Sequence, residues 1–182
     1  MNHKLHKTIG KIIKEYFSDG FEVILDRACG GKQNIPLFSS RRKSRETEIC
    51  DVDILILKNG KVKVIFEIEE SHSNPTQICG KYLTSALSSC YISRNNKTHG
   101  MDKSVLFIQI LDSSGLRKDK TKKIEKWDII EKAIGFIVPI KQSNIKKYKI
   151  LHGETDDFET KKEGRTELIN LVKRFLYKPE NS

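Results

Sequence analysis

Apolar residues recur at helical spacing from the start of the chain. Leu5, Ile9, Ile12, Ile13, Tyr16 and Phe17 fall on one face, and Lys4, Lys7, Lys11 and Lys14 fill the other, so the first segment is predicted to be an amphipathic helix ended by Gly20. Phe21 to Arg27 reads as a strand, and Gly30-Gly31 breaks the pattern before a polar loop over residues 32–47. Two apolar runs, 51–57 and 62–69, flank Asn59-Gly60, a strong hairpin signal. Asn74-Pro75 supplies an N-cap and a first-turn proline. The helix it opens is expected to reach about Tyr91, with Ile78, Tyr82, Leu83, Ala86, Leu87 and Cys90 inward. Ser104 to Leu111 is an apolar run of strand length, as suits a strand buried on both faces. A Lys-rich helix is predicted over 120–134, with Ile124, Trp127, Ile130 and Ile134 on its core side. Gly135–Ile140 and Ile145–Leu151 read as two more strands, 152–163 as an acidic loop, and Gly164–Tyr177 as a closing helix. There is no internal repeat.

The hairpin has two registers. A two-residue loop pairs Lys58 with Lys61, sets Asp53 opposite Phe66 and sends Glu67 to the other face. A three-residue loop, with Gly60 left-handed in a bulge, pairs Leu57 with Lys61. Asp51 then lies opposite Glu67, with Asp53 its diagonal neighbour. The second register is preferred because it separates Val62, Val64, Phe66 and Ile68 from Glu67 and Glu69 by the period of two. It crowds Asp51, Asp53, Glu67 and Glu69 on one face. Like charges across a ladder destabilise a sheet. A cation would relieve that crowding, and a ligand set made only of oxygens suits Mg²⁺ or Mn²⁺. The bland alternative is the solvated face of an edge hairpin, which Lys61 and Lys63 would share.

Charge sharpens this picture. Of 182 residues 32% are charged and 37% hydrophobic, with a net charge of +10. That fits one globular domain spanning 1–182 and favours an anionic partner, nucleic acid or an anionic membrane surface. No apolar run approaches the ~20 residues that span a bilayer, and the Lys-rich N-terminal segment lacks the apolar stretch of a signal peptide. A cytoplasmic protein is expected. Cys29, Cys50, Cys79 and Cys90 form no C-x-x-C pair and are expected to be reduced. His3 and His6 have ligand-like spacing but lie at an end expected to fray, and they receive little weight as metal ligands.

Asp53, thirteen residues, then Glu67-Ile68-Glu69 resembles the motif of the PD-(D/E)xK nuclease superfamily, an Asp opening one strand and Glu-x-Lys or a variant on the next. No Pro precedes the Asp, and Glu69 stands where Lys is usual, as in some type II restriction endonucleases. Asp51 is a rival for the Asp role. The predicted element order over residues 3–111 agrees with the αβββαβ core of that superfamily. The resemblance implies an α/β, restriction-endonuclease-like fold: a mixed central sheet flanked by helices, with C-terminal strand and helix additions. It implies a metal-dependent endonuclease that hydrolyses phosphodiester bonds in double-stranded DNA, first of all a type II restriction enzyme acting as a homodimer. Asp53 and Glu67 would hold Mg²⁺, with Mn²⁺ as a substitute and Asp51 as a further ligand. Glu69 would bind a second metal or accept a proton, and Lys81 would replace the motif Lys. Two other readings stay open: a junction resolvase or repair endonuclease, and a non-catalytic nucleic-acid-binding protein on the same fold, for which the missing Lys is the warrant.

Arg41, Arg42, Lys43 and Arg45 lead toward the acidic strand and are candidates for phosphate contact, against the ordinary reading of a solvated loop. The run Lys118, Lys120, Lys122, Lys123 and Lys126 is a second, weaker candidate. Glu70, Ser71 and His72 leave the motif strand as a turn or as phosphate contacts. Gln77 and Tyr82 flank Lys81 on the following helix, and Glu15 is either a further metal neighbour or a solvated residue.

Overall fold

The computed structural model describes residues 3–71, 74–116, 120–159 and 162–177. Helix α1 (Lys4–Phe17) leads into β1 (Glu22–Leu25). Two hairpins follow, β2 (Pro36–Phe38) with β3 (Glu48–Asp51), and β4 (Ile54–Lys58) with β5 (Lys61–Glu69). Next come α2 (Pro75–Ala86), β6 (Cys90–Ile92) and the long β7 (Thr98–Asp112). Helix α3 (Lys120–Ile137), β8 (Ile145–Gly153), a 3-10 turn at Thr155–Phe158 and α4 (Glu163–Leu176) complete the order.

The strands form a mixed sheet flanked by helices. β1 pairs antiparallel with β4, and β4 with β5; β5 pairs parallel with β7, and β7 with β8. Parallel neighbours cannot be joined by a tight turn, and α2 and α3 lie in the two crossovers. The first part of β7 pairs instead with β6, which carries β2 and then β3. Helices α1 and α4 pack on one face, where Leu5, Ile9 and Ile13 meet Ile54, Phe66 and Ile108. Helices α2 and α3 pack on the other, where Ile78, Tyr82 and Trp127 meet Leu55, Ile65 and Phe107. Burial on both faces explains why β4, β5 and the second half of β7 read as apolar runs. It also means that β5 is a central strand, not the edge of a half-solvated hairpin.

Neither expected hairpin register forms throughout. The loop has two residues, Asn59 and Gly60, both at positive φ (52° and 73°), which is the type I′ pattern. Lys58 faces Lys61 and Leu57 faces Val62, then the register slips so that Ile56 faces Val64 and Ile54 faces Phe66. The extra residue is Lys63, a bulge whose ammonium meets Asp102 Oδ1 at 3.1 Å. The register of β4 with β5 ends at Ile54; Asp53 lies just before it in the chain, with its N–H donating to Phe66 O at 3.1 Å.

Other segments depart from the sequence pattern. The run 51–57 is broken at Val52-Asp53: Val52 N–H turns to Ile35 O at 3.1 Å, so Asp51 ends β3 opposite Pro36. Helix α2 stops at Ala86; Cys90–Ile92 pair with β7 instead, and Leu83 and Leu87 are exposed. Gly135–Ile140 is not a strand. Helix α3 continues to Ile137 and Pro139, lacking an N–H, closes the segment. The polar loop 32–47 contains β2.

Candidate functional site

The end of β5 and the start of β4 bring the acidic residues together. Glu67 and Glu69 point to the α2 face, two residues apart on one strand. Lys81, two turns into α2, places Nζ 3.0 Å from Glu67 Oε2 and 3.9 Å from Glu69 Oε1. Asn74 positions that helix: its Oδ1 accepts from Gln77 N–H at 3.0 Å, a capping box that Gln77 completes. Asp53 sits where β4 gives out. Its Oδ2 accepts the Ile68 N–H at 2.6 Å, a donor that a longer β4 would have paired through its backbone.

The electrostatics of this end are unusual for a basic chain. Glu67 is 1% exposed. Burial first, then the neighbouring Asp53 and Glu69, drives its carboxyl well above the ordinary range against the pull of Lys81. Burial likewise raises Asp53, opposed by His6 and the Ile68 N–H, and raises Glu69, opposed by Lys81. Desolvation would lower Lys81, but Glu67, Glu69 and Asp53 outweigh it and its pKa rises. Glu67 Oε1 is buried with no hydrogen-bond partner. Its register partner on β7 is Gln109, whose Oε1 accepts from Tyr148 O–H and whose Nε2 is also buried without a partner. Orphaned buried polar atoms each cost about 1–3 kcal/mol.

On the α1 face, one residue beyond Glu69, lies a second group. Glu70 Oε1 accepts the His6 N–H at 3.1 Å and lies 3.2 Å from His6 Nδ1, and Glu70 Oε2 lies 4.0 Å from His3 Nδ1. Burial would raise Glu70, but the contacts with His6 outweigh it and hold the carboxyl low. One ligand atom from each of His3, His6 and Glu70 lies within 4.8 Å of the others, so this cluster could hold a metal ion. His6 Nε2 is 3.8 Å from Asp53 Oδ1, which links the two groups through Asp53.

The structure thus sets Lys81 beside Glu67 and Glu69, with Asp53 near enough to act on both carboxyls; among the described residues the group whose ligand atoms converge within 4.8 Å is His3, His6 and Glu70 rather than these carboxylates. Asp51 does not pair with Glu67; it is exposed at the end of β3 and lines a shallow cavity with Arg45 and Glu48. Glu15 is near the other end of α1 and pairs with Arg165 at 3.2 Å. Tyr82 is fully buried in the core. Arg41, Arg42, Lys43 and Arg45 lie on the β2–β3 hairpin, largely exposed, where Lys43 joins Arg27 and Arg94 around a cleft of about 280 Å³. Lys120 pairs with Glu154 at 2.8 Å. His72 and Lys118 lie outside the described residues.

His3 and His6, to which the sequence pattern gives little weight as ligands, meet Glu70 in a cluster that could hold a metal ion, and that pattern does not single out Gln109 or Tyr148. Gln109 carries a signal, as the lone polar side chain deep in an apolar strand. His6 carries one too, since it shares the buried face of α1 with Leu5 and Ile9. Comparison with protein-family profiles, with curated proteins and with solved structures returns no match. Among the described residues, no helix is long and apolar enough to cross a membrane.

Proposed function

We propose that the chain is a metal-dependent endodeoxyribonuclease of the PD-(D/E)xK kind. The observation that carries this reading is the buried Glu67 carboxylate beside Asp53 and Glu69, with Lys81 at hydrogen-bond distance. The donor set is all oxygen, which suits Mg²⁺ or Mn²⁺, and the partnerless Glu67 Oε1 leaves a carboxylate oxygen available to coordinate. A bound Mg²⁺ would supply an acidified water and neutralise charge on the scissile phosphate. Asp53 and Glu67 would hold it, with Asp53 kept in place by the Ile68 N–H. Glu69 would accept the proton of the attacking water, its raised pKa bringing it closer to neutrality. Lys81, charged and anchored between the two glutamates, would donate to the developing oxyanion.

The contacts of Lys81 with Glu67 and Glu69 favour this reading over a non-catalytic binder, since a lysine from α2 would take the place of the motif Lys. The net charge of +10 favours a polyanionic substrate. Sequence-specific cutting at a palindrome would call for a two-fold pair of chains. The test is to digest mixed plasmid and phage DNA with Mg²⁺, with Mn²⁺ and with chelator. Discrete, metal-dependent fragments support a restriction enzyme. Preference for branched over linear duplexes would favour a junction or repair nuclease. Intact DNA under all three conditions would refute the nuclease reading.

A further inference from the structure

We propose that His3, His6 and Glu70 bind a transition-metal dication of the Zn²⁺ class, at a site that adjoins the carboxylate pocket through Asp53. Two imidazoles and one carboxylate are a borderline donor set that favours Zn²⁺ and its neighbours over Mg²⁺, and three protein ligands leave a position open to water. His3 precedes α1 and His6 lies in its first turn; a spacing of three puts both on one side of the helix, and their rings meet edge to face at 5.2 Å.

Glu70 alone has an ordinary explanation, because its carboxylate caps the start of α1 through the His6 N–H. That does not explain the imidazoles. His6 is 8% exposed, and its Nδ1 makes no hydrogen bond even though Glu70 Oε1 is 3.2 Å away. The nitrogen and the oxygen are close enough to share a third centre. The other ring nitrogen faces Asp53 Oδ1 at 3.8 Å. Metal-bound histidines commonly turn their second N–H to a carboxylate, which fixes the tautomer. Here Nδ1 would take the metal and Nε2–H would face Asp53. Glu70 can coordinate and still accept the backbone N–H, since a carboxylate has about four lone-pair sites. The positive end of α1 opposes a cation, but that effect is weak beside a charged oxygen and two nitrogens. The bound ion would clasp the start of α1 to the end of β5 and steady Asp53.

The proposal does not depend on DNA cleavage. Titrate the untagged full chain with Co²⁺, follow its d–d absorption, then displace it with Zn²⁺. One equivalent with a nitrogen–oxygen spectrum is expected. His3→Ala, a change at a side chain 40% exposed that should leave folding intact, and Glu70→Gln should each weaken binding at least about tenfold, the lower end of the loss seen even for outer-sphere partners. Glu67→Ala should keep it. Absence of a d–d band, a thiolate charge-transfer band placing the ion on a cysteine, unchanged affinity in His3→Ala and Glu70→Gln, or loss of binding in Glu67→Ala would each overturn the proposal.

Discussion

Two charged regions stand out in this sequence, and the fold treats them in opposite ways. Arg41, Arg42, Lys43 and Arg45 sit at the water-facing surface of the β2–β3 hairpin. The loop is closed by its own polar groups: Ser39 N–H donates to Thr47 O at 2.8 Å, and Thr47 Oγ1 donates to Arg42 O. Those cations keep their solvation and need no buried partner. Glu67, Glu69 and Asp53 are drawn into the end of a central strand, where burial raises all three pKa values. The Lys81 ammonium faces two of them. Desolvated carboxylates cost stability unless paired. Charge density in a sequence is therefore a weak guide to function, whereas charge kept where water is excluded is a strong one.

The sharpest way to break that contrast is to remove the buried charge. Glu67→Ala and Asp53→Ala should each abolish Mg²⁺-dependent DNA cleavage, read as conversion of supercoiled plasmid, with the fold retained by circular dichroism. Cleavage at the parental rate by either variant would put the site elsewhere. Lys81→Met should come next in size. Loss of a preorganised donor typically costs about 10²–10³ in kcat, and DNA affinity measured in Ca²⁺ should change far less. Equal losses in both would make Lys81 a binding residue.

Stability should move the other way. Glu67 has its folded pKa raised, so between the unfolded and folded pKa values the native state holds the extra proton. The metal-free protein therefore loses stability as pH rises through that window, each tenfold difference in proton affinity between the two states being worth about 1.4 kcal/mol. Glu67→Gln should be more stable than the parent at neutral pH without metal, and the gap should close as pH falls toward the ordinary glutamate pKa. A gap that is constant with pH would show that Glu67 carries no raised pKa. The smallest effect is expected at the exposed region. The double variant Arg41→Ala, Arg42→Ala should weaken binding to all DNA sequences alike and flatten the log–log salt dependence by about 1 for each phosphate left without its cation. Unchanged affinity and slope would leave the run a solvated loop.

Much of this contrast is legible in the chain. Helical periodicity places α1, α2 and α4, and the apolar run places β7. Asp53, Glu67 and Glu69 stand out by residue type and spacing, whereas Lys81 enters only through the resemblance to the nuclease motif. What local pattern misses is set by distant partners. Asp51 and Asp53 look equivalent in sequence, yet Ile35 draws Val52 into a different ladder and strands Asp51 on β3. The slip at Lys63 is hidden because a bulge leaves no mark beyond one lysine among valines. Gly135–Ile140 has the apolar residues of a strand, although Phe136 is 90% exposed at the end of a helix. His3 and His6 look like a frayed end because Glu70, which meets them there, is 64 residues away from His6.

One comparison tests most directly our proposal that Glu67 is buried for chemistry on a phosphodiester. Purify the parent and Glu67→Gln side by side and compare them on supercoiled plasmid in Mg²⁺, with a chelator control. The parent should cut and stop with chelator, and Glu67→Gln, folded and at least as stable, should leave the plasmid intact. A parent that never nicks DNA in Mg²⁺ or Mn²⁺, or a Glu67→Gln variant that cuts as fast as the parent, would contradict it.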